Sequence, residues 1–452
     1  MNGLARVTGN PSRTSVSRLD ATHVIANRIS ASRISADRMI ADRMVEFPVR
    51  NTRRRGLSAP TFLLTAATLI AVLLSAACAG PSVHTPSGVT LLPDPDPASV
   101  ASVIFLLGDA GEAIPGRSPL LERMRDDVEW WSERLESDST VTVLVLGDNV
   151  YPRGLRAPED EERGRDSLVI MGQLDLVTGP EARSKAAYLY FLTGNHDWGL
   201  REDWEGYIRV RRLEDFVLAQ RLRTGVRAEV TPAPGSGGPV VIDRNDHYRL
   251  LILDTPWWLL SNEAEAHTAL LKAVDEAFVT AGDREILIAA HHPFRAGGPH
   301  GGNFSFWETL GARYLLFRSG AILQDISSRP YRDLERGLQE IFRRHGPPLA
   351  FIGGHEHSLQ LLEAVEPTDP SFSIVSGAGS KLSSIGPVEG MLFGQSAPGY
   401  MRMIFEKNGG VTLSVVSAPE QFQHCPSEEE ARVACMEAGI SAYNTVFSKR
   451  LR

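Results

Sequence analysis

Seven short apolar runs, most of which break off into a polar cluster beside glycine, constrain this 452-residue chain more than any other feature. They are SVIFLLGD (102 to 109), VTVLVLGD (141 to 148), YLYFLTGNHD (188 to 197), YRLLILDT (248 to 255), EILIAAHH (285 to 292), LAFIGGHEH (349 to 357) and FSIVSGAG (372 to 379). Unbroken apolarity suits strands covered on both faces, as in layered α/β folds. Segments such as PLLERMRDDVEWWSERLES and RDLERGLQEIFRRHG carry apolar positions at helical spacing between the runs. YMRMIFEKNGGVTLSVVSA reads as a closing hairpin turning at Asn408 and Gly409. Strand ends are where an α/β sheet builds its site, and glycine there lets the backbone turn sharply and a ligand approach.

The terminal clusters are GDAG (108 to 111), GDNVY (147 to 151), GNHD (194 to 197), AHHP (290 to 293) and GHEH (354 to 357). Asp, Asn, His and Tyr are oxygen and nitrogen donors that suit Fe, Mn or Zn rather than a thiophilic ion. Together they exceed what one tetrahedral ion needs. Two ions are expected, with one carboxylate bridging them, an arrangement that clamps a phosphoryl group from two sides.

In this order the clusters resemble the signature of calcineurin-like metallophosphoesterases and, more narrowly, the purple acid phosphatase branch. That branch writes Asp-x-Gly, Gly-Asp-x-x-Tyr, Gly-Asn-His-Asp/Glu, Val-x-x-His and Gly-His-x-His. The wider family carries a His where this chain has Gly111, and lacks the Tyr that this chain has at 151. The match spans about residues 102 to 380; Ile288 and His292 are small departures. The resemblance implies a four-layer α/β/β/α sandwich of the metallophosphoesterase type. It assigns Asp109, Asp148, Tyr151 and His357 to ferric iron and makes Asp148 the bridge. Asn195, His291 and His355 would hold a divalent ion, Fe, Zn or Mn. His196 would orient the phosphate and protonate the leaving oxygen, and His300, nine residues after His291, would act beside the centre.

The implied activity is hydrolysis of phosphomonoesters with metal-bound hydroxide as nucleophile, since coordination lowers the pKa of water from 15.7 to about 7. The rival on the same scaffold is a phosphodiesterase or nucleotidase, because motifs fix metals and not substrates. A non-catalytic, surface-anchored binding protein is a further alternative. Asp197 reads as a partner of His196 or a turn former. Asp254, Trp257 and Trp258 read as packing or cleft-lining residues.

The catalytic domain is expected over 101–420, followed by a C-terminal helical tail over 421–452. Residues 1–56 carry eleven Arg against four Asp plus Glu and a short polar repeat, and read as a disordered or mis-annotated extension, with Met44 a plausible start. Residues 57–78 read as an export signal, and LLSAAC resembles a lipobox that would anchor the chain to a membrane by lipid at Cys78. An uncleaved membrane helix is the alternative, and Arg54–Arg55 hints at twin-arginine export. Residues 79–100 read as a Pro/Ser-rich tether.

Setting residues 1–56 aside leaves 36 Lys plus Arg against 51 Asp plus Glu, a net charge of −15. So acidic a part makes nucleic acid a poor partner; a phosphate ester is the implied substrate, and no protein partner is implied. In an oxidising compartment Cys425 and Cys435 can pair; the alternative is two free thiols.

Overall fold

In the computed structural model, which describes residues 83–84, 90–200, 204–261, 263–301 and 325–452, the apolar runs become strands. The described residues all fall within the unit Leu64–Arg452. The first half comprises β1 (Val83–His84), β2 (Val100–Leu107), α1 (Pro119–Arg134), β3 (Thr140–Val145), α2 (Arg163–Leu174), α3 (Pro180–Ser184), β4 (Tyr188–Phe191), α4 (Trp204–Thr224) and β5 (Ala228–Val230). Next come β6 (Val240–Ile242), β7 (Tyr248–Ile252), α5 (Thr255–Leu260), α6 (Ala264–Val279), β8 (Glu285–Ala289), α7 (Arg329–His345) and β9 (Ala350–Gly353). The chain closes with β10 (Leu359–Glu363), β11 (Phe372–Ser376), β12 (Met391–Gln395), β13 (Gly399–Glu406), β14 (Val411–Ser417), α8 (Glu429–Ala442) and β15 (Asn444–Arg450).

Among the described residues the strands form two sheets, ordered β15-β14-β13-β2-β3-β4-β5 and β1-β12-β10-β11-β9-β8-β7-β6. β2 to β5 are parallel, as are β7, β8, β9 and β11, while the remaining pairings are antiparallel. Period-two alternation explains why the runs are apolar throughout. Val103, Phe105 and Leu107 pack with α1, α2 and α4, whereas Ile104 and Leu106 pack against the other sheet. In the second sheet Leu250 and Ile252 meet the first sheet, while Leu251 and Leu253 meet α5, α6 and α7. The result is the expected four-layer α/β/β/α sandwich, in which the buried apolar side chains of the central strands contribute about 25 cal/mol per Å².

The helices start where the sequence supplies caps. The Asp254 side chain accepts from the Trp257 N–H at the head of α5, and Ser328 does the same for Tyr331 at the head of α7. Gly346, at φ 91°, ends α7. The hairpin β13–β14 turns through Asn408 and Gly409, with Gly409 at φ 88°.

Two boundaries differ from the sequence reading. The segment 421–452 is not wholly helical: α8 is followed by β15, which pairs along β14 and completes that sheet. The expected tether 79–100 is partly docked, since β1 pairs with β12 and Asp94 forms an ion pair with the buried Arg402. A buried guanidinium needs its counter-charge, and the segment supplies it. Cys425 and Cys435 are joined in a disulfide with Cα atoms 5.7 Å apart. The extension 1–56, with Met44, and the anchor 57–78, with Cys78, lie outside the described residues. No helix among the described residues is long and apolar enough to cross a membrane.

Candidate metal centre

The five polar clusters meet at the C-terminal ends of β2, β3 and β4 of one sheet and of β8 and β9 of the other. Each strand stops two to four residues before its first donor, because the backbone turns there. Asp109, Asp148 and His355 take left-handed φ values of 58°, 55° and 65°. Non-glycine residues are rarely held there, and such strain persists where the surrounding structure over-determines it. The glycines leave room for close approach: a Cβ on Gly194 would lie 2.1 Å from Asp148 Oδ1, and one on Gly354 2.7 Å from Asp109 Oδ2.

On one side, the Tyr151 hydroxyl donates to Asp109 Oδ1 at 3.0 Å and stands 3.2 Å from His357 Nε2. Asp109 Oδ2 accepts from the His355 N–H at 2.8 Å. Tyr151 occupies the space beside Gly111, where a Cβ would lie 2.7 Å from Tyr151 N and 2.8 Å from its Cδ2. Glycine at 111 and tyrosine at 151 are therefore one steric solution: a side chain at 111 would displace the phenol. Burial and the Asp109 and Asp148 carboxylates push the Tyr151 phenol well above its ordinary pKa. Only a strong Lewis acid beside it would hold it as phenolate.

On the other side, Asn195 Oδ1 lies 2.8 Å from His291 Nε2 and 3.2 Å from His355 Nδ1, and those two ring nitrogens are 3.2 Å apart. Asp148 Oδ1 is 3.5 Å from His291 Nε2 and accepts from the His196 N–H at 2.9 Å. His291 Nδ1 donates to the Leu146 carbonyl at 2.8 Å, and burial holds this imidazole below its ordinary pKa. Its Nε2 is thus a bare lone pair facing an amide oxygen and a carboxylate. A lone pair facing an amide oxygen and a carboxylate is an arrangement that a cation resolves.

The charges agree with that reading. Asp109 and Asp148 are 0% and 1% exposed, with no Lys or Arg ion pair among the described residues. Burial and Asp148 push Asp109 well up, whereas His291 and His196 outweigh burial at Asp148 and hold it down. Burial lowers His355 well below its ordinary value and His357 to about 4, leaving both in the neutral form a metal binds. Asp109, Asp148 and His291 place ligand atoms within 4.8 Å of one another. The residues present fit two cations, with Asp148 between the two donor groups.

His196 stands at the open side, its Nδ1 donating to the Pro152 carbonyl at 2.6 Å and its Nε2 3.8 Å from Asp148 Oδ2. His300 lies with its ring 4.3 Å from that of His355, and its Nδ1 is 2.6 Å from Asp325 Oδ1. All nine site residues expected from the sequence therefore converge. Asp197 is a turn former: its carboxylate collects the Gly194, Asn149 and Val150 N–H groups and binds the 147–150 turn to the 194–197 turn. Asp254 caps α5 and accepts from Thr193 and Trp198, and Trp258 is buried against Pro330, so both are structural.

Three residues escaped the sequence reading. Lys381 places Nζ 3.4 Å from the Tyr151 ring centroid and pairs with Glu112. Asp325 positions His300. Glu356, buried between the two histidines of GHEH, accepts from the Gly301 N–H under the His300 loop, and burial pushes it to about 7. A charged residue inside GHEH was a signal; Lys381 and Asp325 had none, because tertiary contacts alone bring them in.

No family model matches the chain, and a search of the curated proteins finds no match. Among solved structures, 22 chains match. One is GAP50, the anchor in the inner membrane complex of Plasmodium, with 15% identity, 77% of this chain and 88% of that one covered, and a TM-score of 0.46. Another is the purple acid phosphatase PPD1 from yellow lupin (Lupinus luteus) seeds, with 15% identity and a TM-score of 0.43. That alignment covers 72% of this chain and 52% of the lupin chain, so this chain spans about half of it. At these values the likeness says nothing about residues or activity, which rest on the geometry above.

Proposed function

We propose that this chain is an exported metal-dependent phosphatase of the purple acid phosphatase type, hydrolysing phosphomonoesters at a dinuclear Fe(III)–M(II) centre. The observation that carries it is the Tyr151 phenol, packed into the space of Gly111 and bonded to Asp109 beside His357. Asp109, Tyr151 and His357 would hold the ferric ion and Asn195, His291 and His355 the divalent one, with Asp148 shared between them. Two cations bound there would supply charge neutralisation at the phosphate oxygens and a nucleophile near neutral pH. His291 is locked in the ligating tautomer by the Leu146 carbonyl. His196, oriented by the Pro152 carbonyl, presents Nε2 to the reacting group and protonates the leaving oxygen. His300, aligned by Asp325, assists beside His355.

Export and lipid attachment at Cys78 rest on the apolar run and its lipobox-like end; the Cys425–Cys435 disulfide suits an oxidising compartment. The test is metal analysis with a visible spectrum of the aerobically purified protein. Iron and a visible band lost in Tyr151→Phe are expected; no iron, or a band that survives the substitution, makes this a plain metallophosphoesterase. Steady-state comparison of mono- and diesters checks the substrate class, and turnover of diesters alone sinks the monoester reading.

A further inference from the structure

An open cavity of about 350 Å³, a volume within the range of small-ligand sites, is joined to the surroundings of the metal centre through one residue. Pro152 belongs to both: it lines the cavity, and its carbonyl holds His196 Nδ1 at 2.6 Å. The imidazole thus spans from the cavity wall to the buried Asp148.

Four arginines face this space, Arg153, Arg156, Arg209 and Arg212, against the carboxylates of Asp160 and Glu205. In a chain of net charge −8 this is a local excess of positive charge. Two of the four are scaffolding. Arg156 pairs with the fully buried Asp166 at 2.7 Å, and Arg209 pairs with Glu205 at 2.7 Å while donating to the Arg153 carbonyl at 2.7 Å. Arg153 and Arg212 are different. Neither guanidinium has an ion-pair or hydrogen-bond partner among the described residues, although they share one wall with two further cations. Guanidinium forks left open on one cavity match the bidentate geometry of phosphate oxygens.

We propose that this cavity is a second anion subsite, in which Arg153 and Arg212 bind a phosphate on the leaving-group side of the substrate. Resting on the phosphatase reading, it names the preferred substrate class: esters or anhydrides carrying two or more phosphates. A group departing past His196 enters the arginine-lined space, where its own phosphate is held.

The test uses the metal-loaded protein and the double variant Arg153→Ala/Arg212→Ala, titrated calorimetrically with inorganic pyrophosphate and with inorganic phosphate. The expected result is a preference for pyrophosphate over phosphate that falls about tenfold or more in the variant, as suits loss of charge-assisted bonds. In parallel, the ratio of kcat/KM for a bisphosphorylated ester to that for a monoester with an uncharged leaving group falls by a similar factor, through KM. An unchanged ratio in both measurements overturns the subsite. If the protein turns over no phosphate ester, the functional reading fails while the titration still decides the subsite. The single variant Arg153→Ala, at an exposed position, gives a smaller shift in the same direction should the double variant fold poorly.

Discussion

Two groups of buried carboxylates in this molecule are neutralised in opposite ways. Asp127, on α1, is 6% exposed and receives Arg402 Nη1 at 2.7 Å, Arg123 Nη2 at 3.2 Å and the Tyr400 hydroxyl. Arg402, itself 4% exposed, reaches on to Asp94. In that group the carboxylate meets fixed cations from the chain itself. Asp109 and Asp148 are at least as deeply buried, yet Tyr151, Asn195 and the imidazoles of His291, His355 and His357, held neutral by burial, surround them. Neutral donors and lone pairs cannot offset two carboxylates in a low-dielectric interior. The contrast teaches where this chain is finished and where it expects a cation from outside.

Asp148→Asn should break the open group most severely: metal content falls away, and activity drops by more than the 10²–10³-fold, about, that one transition-state donor supplies. Atomic absorption with an assay checks it, and a variant keeping both its metals and its rate would overturn the bridging role. Arg402→Met should do the reverse, lowering stability by about 3–5 kcal/mol because Asp127 is left buried without its main partner, while metal content stays at the wild-type level. Denaturant unfolding with metal analysis separates the two outcomes. Asp254 is an intermediate case, fully buried with only neutral donors, and burial pushes its pKa to about 6. Its folded pKa lies above the unfolded value, so its contribution is intact near pH 4 and is lost as pH rises through 6. Asp254→Asn should therefore gain about 2–3 kcal/mol relative to wild type between pH 4 and 8, read from unfolding curves at the two pH values. A flat difference would mean that the hydrogen bonds already compensate the charge.

Much of this was legible in the sequence, for a physical reason. Strands covered on both faces must be apolar at nearly every position, so Val103 to Leu107 and Val143 to Val145 announce themselves without an alignment. Donors at strand ends must be polar, and most stand beside glycine, so Asp109, Asp148, Asn195, His291, His355 and His357 stood out too. Position 111 was readable only jointly with 151, since the missing side chain and the added phenol occupy one volume. Sheet order was not readable, nor was β15, whose NTVFSKR has one apolar residue fully packed in the core. Lys381 and Asp325 sit far along the chain from the residues they touch, 230 positions in the case of Lys381 and Tyr151, and no local pattern marks such pairs. The arginine cavity is likewise assembled from two separate stretches, 152–160 and 205–212.

The donors divide by origin: Asp109, Asp148, Tyr151 and Asn195 follow strands of one sheet, and His291, His355 and His357 follow strands of the other. Metal ions held there would act as rivets through a seam. Either half of the chain alone carries an incomplete set, so affinity for the second ion reports on how well the halves have docked. Because binding energy at such a site is also folding energy, any change that loosens the layer between the sheets, however remote from the centre, should register first as a weaker grip on metal.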